Sequence, residues 1–364
     1  MSRTHNFTAG PAVLPLSVIR ELQEALPEYG ETELGLMEFS HRSIDFQNIH
    51  DSAKSRLRSL LNIPKDYTVL FLQGGASLQF YMAPLNLLNQ DEVASYILTG
   101  TWSKKALVEA QRCSKSSACW KPESIFNRVP KNHEYQTLKE AIYLHYTSNN
   151  TIFGTQFHEV PHSNQKPLVC DMSSDICSKT INVSKYDVIY AGAQKNLGPS
   201  GITVVILSPW AIEKSKFSSR NGGLPSMLNY ALMKEKDSLF NTPNTFGIFA
   251  LDRMLAWLQE IGGVSFIEKQ NKTKAAKVYN ALESSSIYNT YADTDSRSLM
   301  NITWKCITPE LEALFIEEAN KNGLKGLKGH RSVGGIRASI YNACPLSSID
   351  ALVDHIIDFS ERYS

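Results

Sequence analysis

Lys195 sits in "AGAQKNLGPSG", among small and uncharged residues and just before a Gly-Pro-Ser-Gly turn. Most lysines are solvated, and burying an ammonium is expensive. A lysine held in a partly buried pocket has a lowered pKa, which makes it a nucleophilic amine able to form a Schiff base. Asp171 follows the apolar run "PLVC". A carboxylate there either caps a helix start, since "SSD" follows, or supplies a counter-charge to a bound cation. Trp102, among Thr99, Thr101 and Ser103, is either core or a stacking plate for a flat ring. Gly74-Gly75-Ala76-Ser77 follows a strand and opens a helix; it is either a plain tight turn or a cradle whose free N–H groups meet a phosphate. The full GxGxxG and Walker patterns are absent. His41-Arg42 in "SHRS" and His330-Arg331 in "GHRS" repeat one triplet in distant segments, and Arg337 follows in "GGIRAS". Arginine forks grip carboxylate and phosphate bidentately, so these groups together favour a substrate with two anionic ends.

Nothing in the bulk composition competes with local anion sites. Lys+Arg 37 against Asp+Glu 36 gives +1, which offers no general attraction to nucleic acid or an anionic membrane. The opening "MSRTHNFTAGPAVLP" lacks an apolar core of signal-peptide length, and no run reaches the roughly 18 apolar residues of a membrane helix. The expectation is a cytoplasmic protein. The six cysteines stand singly without a CxxC pair, which implies reduced thiols rather than zinc or a disulfide scaffold. "HEVPH" at 158–162 matches H-E-x-x-H literally. Pro161 would occupy the helix interior that such a zinc site requires, so the segment reads as an extended loop.

These groups need elements that converge. From about residue 65 to 210, apolar runs ("YTVLFL", "EVASYILTG", "AIYLHYTSN", "PLVCDMSS", "YDVIYAGAQK", "ITVVILS") mark strands. "ASLQFYMAPLNLL" and "SKKALVEAQRC" read as helices, the first despite Pro84. Buried strands alternating with helices predict an α/β fold with a mostly parallel sheet covered on both faces. Ligands then gather at the carboxyl ends of the strands, where Gly74-Gly75, Thr99 to Trp102, Thr147 to Asn149, Asp171 and Lys195 fall. After about residue 262 the pattern becomes helix, strand, helix, strand, helix, a small α+β unit. At about 150 residues per domain, 364 residues predict two domains. We assign 16–262 to a large domain, and 1–15 with 263–364 to a small one.

The ordered set "NFTAGPA", "SHRS", "QGGAS", "GTWS", "NNTIFGTQF", "CDMSSD", "AGAQKNLGPSG", "NTPNTF" and "GHRSVGGIRASIYNA" closely resembles the phosphoserine aminotransferase family, from residue 6 to near residue 343. That resemblance implies a fold-type I transferase dependent on pyridoxal 5′-phosphate. It implies that Lys195 carries the cofactor as an imine and shuttles a proton, and that Asp171 pairs with the pyridinium nitrogen. Trp102 would stack on the ring. Ala76 and Ser77 would donate to the phosphate, and Thr151 and Gln194 would add polar contacts. Asn241 and Thr242 would reach the cofactor phosphate of a neighbouring subunit, implying a homodimer with shared active sites. His41, Arg42, His330 and Arg331 would hold the distal anion of the substrate, and Arg337 its α-carboxylate.

The implied reaction is a ping-pong exchange between O-phospho-L-serine with 2-oxoglutarate and 3-phosphohydroxypyruvate with L-glutamate, in serine biosynthesis. A phospho-hydroxy-threonine substrate of pyridoxine (vitamin B6) synthesis is open by the same analogy. Some family members carry a larger residue where Ser77 stands, so any substrate contact from a longer side chain is lost here. Competing readings are a serine–glyoxylate-type aminotransferase, a zinc hydrolase built on "HEVPH", and a non-catalytic phosphate-ligand binder.

Overall fold

The computed structural model describes residues 3–216 and 223–364. Seven strands form the main sheet: β1 (Thr68–Leu72), β2 (Val93–Ile97), β3 (Ser117–Trp120), β4 (Ala141–Thr147), β5 (Leu168–Asp171), β6 (Val188–Gly192) and β7 (Thr203–Leu207). Their spatial order is β1-β7-β6-β5-β4-β2-β3. β2 to β6 are parallel to one another, whereas β7 is antiparallel to both β1 and β6.

The antiparallel β7 departs from the simple strand–helix alternation read from the sequence. Only ten residues, 193–202, separate β6 from β7. A parallel crossover needs a dozen or more, usually with a helix. The chain therefore folds straight back, pairing Thr203 with Gly192 and Leu207 with Val188. β3 is a further strand that the sequence did not mark, because "SACW" is a short, half-exposed edge with no apolar alternation.

Strand alternation explains why the sheet needs cover on both faces. Val69 and Phe71 of β1 enter one core, while Leu70 and Leu72 enter the other. The first core is closed by α1 (Leu16–Ala25), α2 (Ile44–Leu61) and α7 (Thr245–Glu260). The second is closed by α3 (Gly75–Leu87), α4 (Thr101–Gln111), α5 (Pro209–Lys216) and α6 (Tyr230–Glu235). Pro84 is tolerated inside α3. Ser43 caps α2 by accepting from the Phe46 N–H, and Asn244 caps α7 by accepting from Gly247.

The long helix α8 (Gly263–Glu283) starts against the first core and ends in a third. There it meets the antiparallel sheet β8 (Tyr288–Thr290), β9 (Asn301–Cys306) and β10 (Ile336–Ser339), with α9 (Pro309–Lys321) and α10 (Leu346–Tyr363). Trp304 and Phe315 meet edge-to-face in this core, at 5.9 Å between ring centroids. The N-terminal arm joins the same unit. His5 and Asn6 pair with Leu324 and Lys325, and Phe7 is buried in the core. The Ser339 N–H, at the end of β10, donates to the Phe7 carbonyl at 3.2 Å. Among the described residues, no helix is long and apolar enough to cross a membrane.

Candidate active site

The carboxyl ends of β1, β2, β4, β5 and β6 open into one cavity of about 300 Å³. Ala76, Ser77, Trp102, Thr151, Asp171, Gln194, Lys195, His330 and Arg337 all line it. The end of the cavity at α3 is built on backbone conformation. Gly74 and Gly75 have φ of +88° and +67°, and a Cβ on Gly74 would lie 2.5 Å from Leu78 Cδ2. Glycine is therefore required at 74, and the turn leaves the first N–H groups of α3 at the cavity. The positive end of the helix dipole favours an anion there.

Asp171 ends β5 and is 4% exposed. Its Oδ1 accepts from the Ser173 N–H at 2.9 Å and the Ser173 hydroxyl at 2.6 Å. Residues 173–177 form a turn rather than the helix start suggested by "SSD". The two alternatives for Asp171 therefore combine in one side chain: Oδ1 closes the turn, while Oδ2 accepts no hydrogen bond among the described residues. Burial holds the carboxyl above the usual carboxylate range. The two Ser173 bonds and the Lys195 ammonium oppose that shift, and Asp175 adds to it. The Ser173 hydroxyl also accepts from the Gly192 N–H at 3.2 Å, tying the end of β5 to the end of β6.

Lys195 lies three residues past β6, half-buried, and donates to Thr151 Oγ1 at 2.8 Å. Burial pushes its pKa down to about 8; Asp171 opposes the shift and Arg337 reinforces it. The N-terminal arm covers this lysine. A Cβ on Gly10 would lie 3.6 Å from Lys195 Cγ and from Gln194 Cγ, and the Ala12 N–H bonds the Gln194 carbonyl at 2.8 Å. Trp102 is the second residue of α4, which is capped by Gly100, where a Cβ would come within 2.8 Å of Asn150 Oδ1. The Lys105 ammonium lies 4.8 Å from the Trp102 ring centroid, over one face.

Arg337 projects from β10, and among the described residues its guanidinium makes one hydrogen bond, at 3.4 Å to the Thr151 carbonyl, while its buried Nε has no partner. His330 bonds the Ser332 hydroxyl at 2.7 Å. Its pKa is lowered by burial, then by Arg337 and Arg331.

His41, Arg42, Arg331, Asn241 and Thr242 line no part of this chain's own cavity. His41 is half-buried, and the other four are exposed. Ala9, Gly10, Asn149, Ile152, Ser173 and Ser174 line the cavity without having been singled out as site residues. Asn149 had a signal, since Thr147 to Asn149 is a polar strand end. Ala9 and Gly10 had none beyond the family motif, because nothing local shows where an N-terminal arm will lie. "HEVPH" is a loop, as its proline requires. The one His/Asp group able to hold a metal ion among the described residues is elsewhere, at His50, Asp51 and Asp237. Cys119, Cys170, Cys177, Cys306 and Cys344 are free thiols.

The cavity fits pyridoxal 5′-phosphate on its own chemistry. It offers an amine of lowered pKa, a buried carboxylate with one free oxygen, an aromatic plate and a helix N-terminus for a phosphate. Similarity to known proteins agrees. The family model described as aminotransferase class-V matches residues 4–352. A phosphoserine aminotransferase from Halalkalibacterium halodurans is 49% identical, covering 100% of both chains. The solved phosphoserine aminotransferase of Bacillus circulans subsp. alkalophilus superposes with a TM-score of 0.95 at 43% identity, covering 100% of this chain and 99% of that one. The enzyme of Trichomonas vaginalis, solved with pyridoxal phosphate bound, gives 0.92 at 33% identity, over 97% and 99%. The chain belongs to the class-V aminotransferases, in the phosphoserine aminotransferase family, and is a transaminase that uses pyridoxal 5′-phosphate.

Proposed function

We propose that this enzyme exchanges the amino group between O-phospho-L-serine with 2-oxoglutarate and 3-phosphohydroxypyruvate with L-glutamate, by ping-pong, in serine biosynthesis. The observation that carries the reading is the convergence of Lys195, Asp171 and Arg337 on one cavity, with Thr151 contacting both basic side chains. Bound pyridoxal 5′-phosphate supplies an aldehyde that trades amino groups and a conjugated ring that takes up the electron pair released at the substrate α-carbon.

The chain's own residues do the rest. Lys195 Nζ takes the proton from the α-carbon and returns it on the other side of the exchange. Thr151 Oγ1 orients that nitrogen, and the pKa near 8 keeps a useful fraction of it neutral near physiological pH. The free oxygen of Asp171 holds a proton on the ring nitrogen, and Ser173 fixes the carboxylate for that task. The N–H groups at the start of α3 and the Ser77 hydroxyl hold the cofactor phosphate, while Trp102 supports the ring. Arg337, with its guanidinium largely unpaired, holds the α-carboxylate.

His330 at the cavity, with His41, Arg42 and Arg331, forms the site for the distal anion. The placement of His41, Arg42 and Arg331 outside this chain's own cavity supports a homodimer with shared sites, in which Asn241 and Thr242 reach the partner's cofactor phosphate. The large domain, 16–262, then carries the cofactor. The small one, 1–15 with 263–364, brings His330 and Arg337. We place the enzyme in the cytoplasm.

Borohydride reduction followed by peptide mapping tests the lysine. The label is expected on Lys195, with the visible band changing when phosphoserine is added. A label on another lysine refutes the assignment. Arg42→Ala is expected to raise KM for phosphoserine far more than for a neutral amino acid. Equal losses would favour a site with no distal anion.

A further inference from the structure

A second lysine is buried away from the active-site cavity. Lys274, on α8, is 2% exposed. Its ammonium meets the carbonyl oxygens of Tyr341 at 2.8 Å, Ile340 at 3.0 Å, Cys344 at 3.4 Å and Asn342 at 3.5 Å. None of these partners is a carboxylate. A buried ammonium without a counter-charge is costly, and so are converging carbonyl dipoles with nothing between them. Each solves the other's problem. The carbonyls converge because the chain turns sharply after β10, with the Cys344 N–H bonding the Tyr341 carbonyl at 2.9 Å. Carbonyl oxygens gathered around one positive charge are the coordination that proteins use for dehydrated monovalent cations.

The turn reaches the active site in two directions. The Tyr341 hydroxyl donates to the Ala9 carbonyl at 2.8 Å, in the arm that covers Lys195. The Asn342 N–H donates to Asn196 Oδ1 at 3.0 Å, on the residue next to Lys195. Asn342 Nδ2 also donates to the Cys177 carbonyl at 2.9 Å, at the end of the turn that follows Asp171. A loosened turn 340–344 would therefore disturb the arm, the lysine loop and the segment after Asp171 together.

We propose that the Lys274 ammonium is a tethered monovalent cation in a carbonyl cage, that the cage binds a free ammonium-class cation or potassium once the tether is cut, and that Lys274 is thereby a positioning residue for the catalytic centre. The cage itself is independent of the substrate assignment; only its link to catalysis rests on Lys195 being the reactive amine.

The test is Lys274→Ala in the holoenzyme, with chloride salts compared at constant ionic strength. Propylammonium matches the atoms removed, ammonium and potassium are smaller members of the class, and bulky tetramethylammonium is the reference. In tetramethylammonium the variant is expected to have a lowered Tm and to release cofactor about tenfold faster, the loss expected for hydrogen bonds to a charged group. Propylammonium, and more weakly ammonium and potassium, should restore both readouts in the variant and leave the parent unchanged. Should the variant not fold in tetramethylammonium, refolding in propylammonium is expected to succeed. Failure in every salt, or equal Tm in every salt, overturns the proposal. Lys274→Met fills the space without the charge, so a Met variant as stable as the parent overturns it too. A Tm that responds to cations with no change at Lys195 would uphold the cage and count against the link to catalysis.

Discussion

In the cofactor-free enzyme, the rate at which Lys195 captures pyridoxal 5′-phosphate is predicted to rise through a midpoint near pH 8. Only the neutral amine attacks an aldehyde, so the rate follows the unprotonated fraction. Burial brings Lys195 from 10.5 to about 8, against the pull of Asp171. At pH 7.5 the neutral fraction is then about one quarter, compared with about one part in a thousand for a lysine of ordinary pKa. The structure thus predicts a capture advantage on the order of 200-fold over a solvated lysine from protonation alone.

Two variants bracket the cause. Arg337→Met removes a neighbouring cation that depresses the pKa, so the midpoint is predicted to move up. Asp171→Asn removes a carboxylate that raises it, so the midpoint is predicted to move down. Stopped-flow absorbance after mixing apo-enzyme with cofactor across pH 6 to 10 would read this directly. A parent midpoint near that of free lysine, or midpoints moving in the opposite directions, would refute the electrostatic account of the lysine.

Two more predictions follow from groups that the fold places around Asp171 and the phosphate. Ser173→Ala removes a hydroxyl bond at 2.6 Å to Asp171 Oδ1. A hydrogen bond to a charged group is worth about 1.5–3 kcal/mol, equal to roughly one to two pKa units. The carboxyl, already raised by burial, rises further, so the acid limb of kcat/KM should move to higher pH, and Ser173→Thr should restore it. A uniform loss with an unmoved acid limb would show that Ser173 only supports packing. Gly74→Ala forces a side chain into a conformation of φ +88° and against Leu78. It should cost about 1–2 kcal/mol in backbone strain alone and weaken cofactor retention in dialysis about tenfold. Unchanged retention would mean that the turn is not the phosphate cradle.

Local patterns in the sequence carry much of this protein. Continuous apolar runs require strands buried on both faces, and β1 delivers this by sending alternate residues to two cores. The glycines at 74 and 75, the proline in "HEVPH" and the polar ends of strands β4 and β5 are likewise local facts. They place a tight turn at the start of a helix, exclude a zinc helix and predict that Asp171 and Lys195 share one edge. Connectivity is local too, although its consequence is easily passed over: ten residues between β6 and β7 are too few for a crossover, so β7 had to reverse.

Contacts between distant segments are different, because they depend on packing geometry that no spacing encodes. Nothing near Gly10 announces that the arm will lie on Lys195. The arm is there because Phe7 is buried in the C-terminal core and the backbone beside it pairs with residues 324–325. Ser173 read as part of a helix start, and only the closed turn shows it holding one carboxylate oxygen while leaving the other free. Nothing in the spacing of the helix after residue 262 singles out Lys274; four carbonyls from a turn some seventy residues away make it a buried cation. The sequence by itself determined the kinds of groups and the strand ends that carry them. The tertiary structure decided which of those groups are desolvated together, and desolvation is what moves a lysine toward neutrality.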